Sequence, residues 1–230
     1  MKILVIDTAT ASGSIALLED GQPIAELTTC IQKTHAERLL LSIKTLLQGI
    51  GTRIEDIDGF ALTAGPGSFT GLRIGLATIK GLAWSLNKEV AGVSTLEALA
   101  MNLPYSDKQI CPLLDARKKE VYAGIYRCDG NRPERIMDDI AIKPDALLEK
   151  IKEPTIFLGD GVKIISELKS EIGNRKSEII FAPSHLWTIK ASNIGLLAWK
   201  RFQNGDSHSP QTAGLNYLRP SEAELKLKQG

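Results

Sequence analysis

Cysteine and histidine are scarce in this 230-residue chain, three of each, and neither kind is grouped. Cys30, Cys111 and Cys128 are odd in number, widely spaced and free of any CxxC pair, which argues against a disulfide framework or a zinc ribbon and fits a reducing compartment. Small buried apolar groups are the simpler reading of all three. His35, His185 and His208 sit on separate segments and form neither HxxxH nor HExxH, so the sequence presents no metal site. Charge of one sign is also missing, since 28 Lys and Arg stand against 27 Asp and Glu. No global positive field would draw in a polyanion, although a local patch could form. No apolar run approaches the length of a membrane span, and the stretch before Asp7 is too short for a signal peptide. The expectation is a cytoplasmic protein.

What the chain has is apolar residues, 43% of the total, enough for one large core or two small ones. The apolar run ILVID, the small polar turn TATASG, then SIALLED, the turn residues Asp20 and Gly21, and PIAELTT read as an antiparallel three-strand meander. THAERLLLSIKTLLQGIG follows with a capping-box pattern, Thr34 with Glu37, and with Leu39, Leu40, Ile43, Leu46, Leu47 and Ile50 at helical spacing. Gly49 or Gly51 should end that helix. IDGFALTAGPG reads as a buried strand entering a Gly/Pro turn, SFTGLRIGLATIKGLAWSL as a helix, and EVAGVSTLEALA as strand and helix start.

Near residue 109 the opening pattern returns: ICPLLDARKKEVYAGIYRCDG lies under ILVIDTATASGSIALLEDG, with Asp115 under Asp7. DALLEKI, TIFLGDG, IISELKS, EIIFAP and a helix over residues 188–202 complete a second half. The order implies a duplicated α/β fold with its boundary near residues 103–106 and a cleft between the halves. The expected division is 1–103 as an N-terminal lobe and 104–230 as a C-terminal lobe whose last helix or tail packs back on the first.

Chemistry is sought first in the turn Asp7, Thr8, Thr10, Ser12 and Gly13, small and polar enough for backbone amides to approach a phosphate. Asp7 could hold a cation or water there, or simply cap the turn. AGPGSFTGLRIGLA fails both glycine-rich templates, since no GK[ST] follows Gly71 and Thr70 stands where GxGxxG needs its third glycine. It supplies a tight turn at Gly65, Pro66 and Gly67, an N-cap in Ser68, and small residues four apart at Gly71 with Gly75 and at Ala77 with Gly81. Two readings account for them, close packing on the chain's own sheet and a docking face for another subunit; the second is preferred. No GxSxG elbow or neighbouring Cys/His pair occurs, and Glu97, Glu120 and Asp160 read as readily as solvated groups as acid/base residues.

AGPGSFTGLRIGLATIKGLA, preceded by IDTAT and THAERLL and followed by STLEALA, LDARKKEVYAGIY and NYLRPSEAELK, resembles the TsaB (YeaZ) family over nearly the whole chain. The resemblance implies an actin/hexokinase/Hsp70-like (ASKHA) fold, two lobes on duplicated ribonuclease-H-like sheets. It implies a non-catalytic subunit that activates the threonylcarbamoyltransferase TsaD, together with the ATPase TsaE, in making threonylcarbamoyladenosine (t6A) on tRNA. The implied interface is a helical bundle built here by Leu39, Ile43, Leu46, Gly71, Leu72, Ile74, Gly75, Thr78, Ile79 and Leu82, serving a homodimer when the chain is alone. Asp7, Thr8, Thr10 and Ser12 would be the nucleotide-facing remnant. TsaD carries a metal-binding HxxxH where this chain has STLEALA, so ATP and metal are expected to belong to the partners, no cofactor to be required by this chain, and tRNA contact to be indirect or weak. The alternative is a stand-alone ATP-dependent enzyme of the same fold, such as a small-molecule kinase.

Overall fold

Four apolar residues in succession, Ile3 to Ile6, can all be buried only if the strand carrying them is covered on both faces, and that requirement organises the molecule. The computed structural model describes residues 1–30, 35–130, 132–168 and 178–219. In it β1 (Lys2–Asp7) pairs antiparallel with β2 (Gly13–Glu19), and β2 with β3 (Gln22–Thr29), the expected meander. Helix α1 (His35–Gly49) leads to β4 (Gly59–Gly65), parallel to β1; α2 (Phe69–Leu86) leads to β5 (Glu89–Ser94), parallel to β4. The sheet order is β3-β2-β1-β4-β5.

After the short α3 (Thr95–Ala100) the same topology is built again. β6 (Gln109–Arg117), β7 (Glu120–Cys128) and β8 (Pro133–Ile142) form a second meander. α4 (Pro144–Lys150), β9 (Thr155–Leu158), α5 (Val162–Ser166) and β10 (Ile179–Phe181) follow, giving β10-β9-β6-β7-β8. Read from the meander inward, the two orders are the same. α6 (Ala191–Gln203) then returns to lie across the first sheet.

Strand alternation sorts the core into layers. Leu4 and Ile6 join Leu39, Ile43, Leu46 and Ile79 on the side of α1 and α2. Ile3 and Val5 face the other way, into a cluster holding α3, α6 and, from the second sheet, Ile110, Leu114, Tyr126 and Leu158. Cys111 and Leu113 point to the far side, with Leu147 and Ile165 of α4 and α5. The halves therefore share one apolar layer.

Boundaries move where local signals were weak. α5 ends at Ser166 and α6 begins at Ala191, not at 188. The capping box of Thr34 with Glu37 and the tail after residue 219 fall outside the described residues and side chains. Ser68 caps α2 as expected, its hydroxyl accepting from the Gly71 N–H at 3.2 Å. Cys111 and Cys128 are buried and Cys30 exposed, all three free. Among the described residues no helix is long and apolar enough to cross a membrane.

Candidate functional site

β1 delivers Asp7 to the hairpin turn 1% exposed. One carboxylate oxygen, Oδ1, accepts from the Thr63 hydroxyl at 2.8 Å and from the Ala9 N–H at 3.0 Å. The other, Oδ2, is buried without a partner. Burial holds the acid above the ordinary carboxylate range, at about 6, against the opposing pull of those hydrogen bonds. A small cavity lies beside it, lined by Ser14, Thr29, Leu39, Ser42 and Arg38. Arg38, from α1, donates Nη2 to the Ala11 carbonyl at 3.5 Å while its Nη1 is a second unpartnered buried atom.

The rest of the turn closes on itself. Thr8 is buried, and the Thr10 and Ser12 hydroxyls bond each other at 2.8 Å. The Ser68 N–H donates to the Ala9 carbonyl at 2.7 Å, so the loop before α2 lies backbone to backbone against the β1–β2 turn. Asn216 donates to the Ala64 carbonyl at 2.7 Å, and Tyr217 packs on Phe69, ring centroids 5.0 Å apart. Arg73 lies 3.7 Å over the Phe69 ring and reaches the Tyr217 hydroxyl at 3.2 Å. Arg219 then crosses to the second half, to the Ala116 carbonyl at 3.3 Å and Glu120 at 3.1 Å. Residues 216–219 thus strap the mouth of the cleft. Across it, Asp115 is held by the Arg117 N–H at 2.7 Å, and Asp160 accepts from the Asp115 N–H. The four turn residues expected to face a nucleotide are indeed brought together, but their polar atoms are largely engaged by the chain itself.

The docking reading of α2 needs correction for part of its residues. A side chain on Gly71 would collide with the Thr8 carbonyl oxygen, and one on Gly75 with the Thr8 hydroxyl. These two glycines serve close packing on the chain's own sheet. Leu72 and Ile79 are buried with them, and Leu39, Ile43 and Leu46 of α1 fill the same core. None of the seven is available to a partner. Ile74, Thr78 and Leu82 are half-buried at the rim. The outward stripe is Arg73, Ala77, Gly81 and Trp84, with nothing within 4 Å of a side chain added at Gly81. α1 adds Leu40 and Leu41, 61% and 65% exposed, and Trp84 is 63% exposed. Leu41 and Trp84 were missed by the sequence reading, and Leu40 was counted with the buried stripe. The signal was available: both leucines and the tryptophan are apolar residues off the buried stripe of their helices.

A second polar cluster joins the halves. Asp139 of β8 accepts from the Ser94 hydroxyl at 2.7 Å and from the Tyr126 hydroxyl, and pairs with Arg135 at 3.4 Å. Burial, with the Asp139 charge beside it, pushes the Tyr126 phenol upward. Arg201 of α6 pairs with Glu97 at 3.1 Å and donates to the Gly92 carbonyl. Desolvation raises the Glu97 carboxyl and Arg201 opposes it. This is where STLEALA stands. Among the described residues no group of His, Cys, Asp and Glu could hold a metal ion.

Two sheets of one topology, stacked through a shared helical layer about a cleft, define an actin/hexokinase-like duplicated fold. The likeness extends at 11% identity and a TM-score of 0.52 to an activator of 2-hydroxyisocaproyl-CoA dehydratase from Clostridium difficile, solved with bound ADPNP, over 94% of this chain and 100% of that one. Within the fold the match is much closer to one group. A family model described as TsaD, tRNA N6-adenosine threonylcarbamoyltransferase, matches residues 29–227. The tRNA threonylcarbamoyladenosine biosynthesis protein TsaB of Bacillus subtilis (strain 168) is 35% identical, covering 98% of this chain and 97% of its own length. Its counterpart in Escherichia coli (strain K12) is 31% identical, covering 99% and 98%. YeaZ from Pseudomonas aeruginosa superposes with a TM-score of 0.76 at 27% identity, over 94% of this chain and 99% of that one. The chain belongs to the TsaB (YeaZ) family.

Proposed function

We propose that the chain is a non-catalytic subunit in t6A modification of tRNA, docking on a TsaD-type threonylcarbamoyltransferase that works with a TsaE-type ATPase. The observation that carries the docking is the exposure of apolar residues on two neighbouring helices, Leu40 and Leu41 on α1 and Ala77, Gly81 and Trp84 on α2. An aromatic anchor beside residues with little or no side chain lets a helix of the partner approach closely, the arrangement expected of an interface centre. The partner is a TsaD-type protein because the family model of that description matches the chain and the full-length relatives are t6A biosynthesis proteins. A partner of the same fold would present a related pair of helices. When the chain is alone, a second copy covers the same face, isologously.

The non-catalytic reading draws support from Asp7, a buried acid held at about 6 with its neighbours turned to one another, and from the strap over the mouth of the cleft. ATP and metal are assigned to the partners. The test is a reconstitution of tRNA threonylcarbamoylation from this chain, TsaD, TsaE, threonylcarbamoyl-adenylate and ATP, omitting one protein at a time and scoring modified tRNA by mass spectrometry. Loss of product without this chain, with no ATP turnover by the chain alone, is the expected result. Full product in its absence, or ATP hydrolysis by the isolated chain that Asp7→Ala abolishes, would overturn the reading in favour of an independent enzyme.

A further inference from the structure

The two helices that carry the exposed apolar residues are uneven in charge. α2 contains Arg73 and Lys80 but neither Asp nor Glu, and α1 adds Arg38 and Lys44 against Glu37 alone. Arg38 is buried, and Lys80 donates to the Gln211 carbonyl at 3.3 Å. Lys44 is exposed one turn beyond Leu40 and Leu41, and Arg73 is exposed one turn before Ala77. The spacing of four puts Arg73 on the stripe that runs through Ala77 and Gly81 to Trp84, about 12 Å from Gly81 along the helix axis. The apolar residues proposed above for docking are therefore flanked by cations.

Arg73 is also held in place. Its guanidinium lies 3.7 Å over the Phe69 ring, which itself packs on Tyr217, and its Nε donates to the Tyr217 hydroxyl at 3.2 Å. Much of the rotamer freedom that a loose arginine loses on binding is thus given up already on folding. The stacking occupies the face of the guanidinium and Tyr217 occupies Nε. Among the described residues no carboxylate pairs with Arg73, and its two terminal nitrogens keep their donors. Such a planar fork meets a carboxylate with two parallel hydrogen bonds, which an ammonium group does not do. Arginine and tryptophan are the residues in which interface energy concentrates, and both stand on this stripe.

We propose that Arg73 is a charged anchor of the docking face, its terminal nitrogens taking an Asp or Glu carboxylate of the TsaD-type partner. The inference rests on the docking reading above and names the chemistry the partner must bring. The same anchor separates partner from copy. In an isologous pair the second chain offers the same two helices, α2 without an acid, and brings like charges together; an acidic side chain on the partner pairs with Arg73 instead. A phosphate also suits the fork, but continuity with Ala77, Gly81 and Trp84 favours a protein contact.

The test is calorimetric titration of the full chain with the TsaD-type partner across a salt series, beside sedimentation of the chain alone and tRNA binding by the assembled complex. Arg73→Gln removes the charge and keeps a donor, Arg73→Lys keeps the charge and loses the fork, and Tyr217→Phe keeps the ring and frees Nε. Arg73→Gln should bind the partner at least about tenfold more weakly. Its affinity should also fall less steeply as salt rises. Arg73→Lys should restore only part of the lost affinity, and Tyr217→Phe should bind more weakly than wild type although it removes no atom of the contact. Melting temperatures should stay near wild type, and self-association of Arg73→Gln should be equal or tighter. Unchanged partner affinity and salt slope in Arg73→Gln would overturn the proposal. So would weakened tRNA binding at unchanged partner affinity, which would give the fork to a phosphate, or self-association lost in step with partner binding, which would make the arginine a structural prop. Trp84→Ala separates this inference from the docking reading. If it weakens partner binding and Arg73→Gln does not, the carboxylate anchor fails alone; if neither does, the docking face fails with it.

Discussion

At the residue scale, Asp7 shows how a position suited to chemistry can be spent on structure. Its Oδ1 anchors the β1–β2 turn to Thr63 while its Oδ2 is buried without a partner, and desolvation outweighs both hydrogen bonds. The folded chain therefore favours the protonated acid. An acid raised in the fold contributes stability that is fully present below its unfolded value, 3.8, and is lost as pH rises through about 6. A shift of that size is worth about 3 kcal/mol across the window. Denaturant titrations of wild type should thus give a stability that falls between pH 4 and pH 6.5 and is level above it. Asp7→Asn, which cannot ionise, should match wild type near pH 4 and exceed it at pH 7.5. A wild-type stability that is flat over this range would show that the Arg38 guanidinium in the same cavity, or solvent, neutralises the cost. The hairpin that positions Asp7 was legible in the sequence because apolar alternation and small turn residues are local signals. Its sealing was not, because Thr63, Arg38 and Asn216 arrive from distant segments.

At the element scale, α2 resolves an ambiguity that residue spacing had left open. Gly71 with Gly75, and Ala77 with Gly81, are each four apart, and either pair could serve close approach. At about 100° per residue the six-residue offset between the pairs leaves them roughly 120° apart around the helix, so they point to different sides of it. The structure puts the first on Thr8 and the second in the open. The sequence reading merged them into one docking face, although the angle was calculable from the numbers alone; what the sequence lacked was which pair met the sheet. Two substitutions separate the faces. Gly75→Leu must displace the Thr8 side chain and should cost about 3 kcal/mol of stability by overpacking. A Cβ at Gly81 meets no atom of its own chain within 4 Å, so for Gly81→Leu, at concentrations where the chain is monomeric, the denaturation midpoint should stay near wild type while affinity for the TsaD-type partner falls. Trp84→Ala should lose about 2 kcal/mol of that affinity, roughly thirtyfold. Calorimetric titration of the partner into each variant measures both effects. Wild-type affinity in Gly81→Leu and Trp84→Ala alike would place the interface elsewhere.

At the scale of the whole molecule, the question is whether the two halves move. An enzyme that closes over a nucleotide needs lobes able to separate, with few apolar contacts crossing between them. Here α3 and α6 lie in a continuous apolar layer shared by both sheets, with Leu96 and Leu99 fully buried in it. The Ser94, Asp139 and Tyr126 cluster and the Arg219 strap add polar ties at two further points. Separating the sheets would expose that layer, so the halves should behave as one cooperative unit that presents α1 and α2 at a fixed angle. Scanning calorimetry should then show a single transition whose calorimetric and van't Hoff enthalpies agree. Leu99→Ala, which opens a cavity between the sheets, should lower the stability of that single transition by about 3 kcal/mol. It should also weaken partner binding only to the extent that it populates unfolded chain. Two resolved transitions, or a Leu99→Ala variant that melts in one half alone, would mean that the lobes are independent. In that case the partner would have to order them on docking, and partner titration calorimetry would show a heat-capacity change larger than the outward face of α1 and α2 can supply.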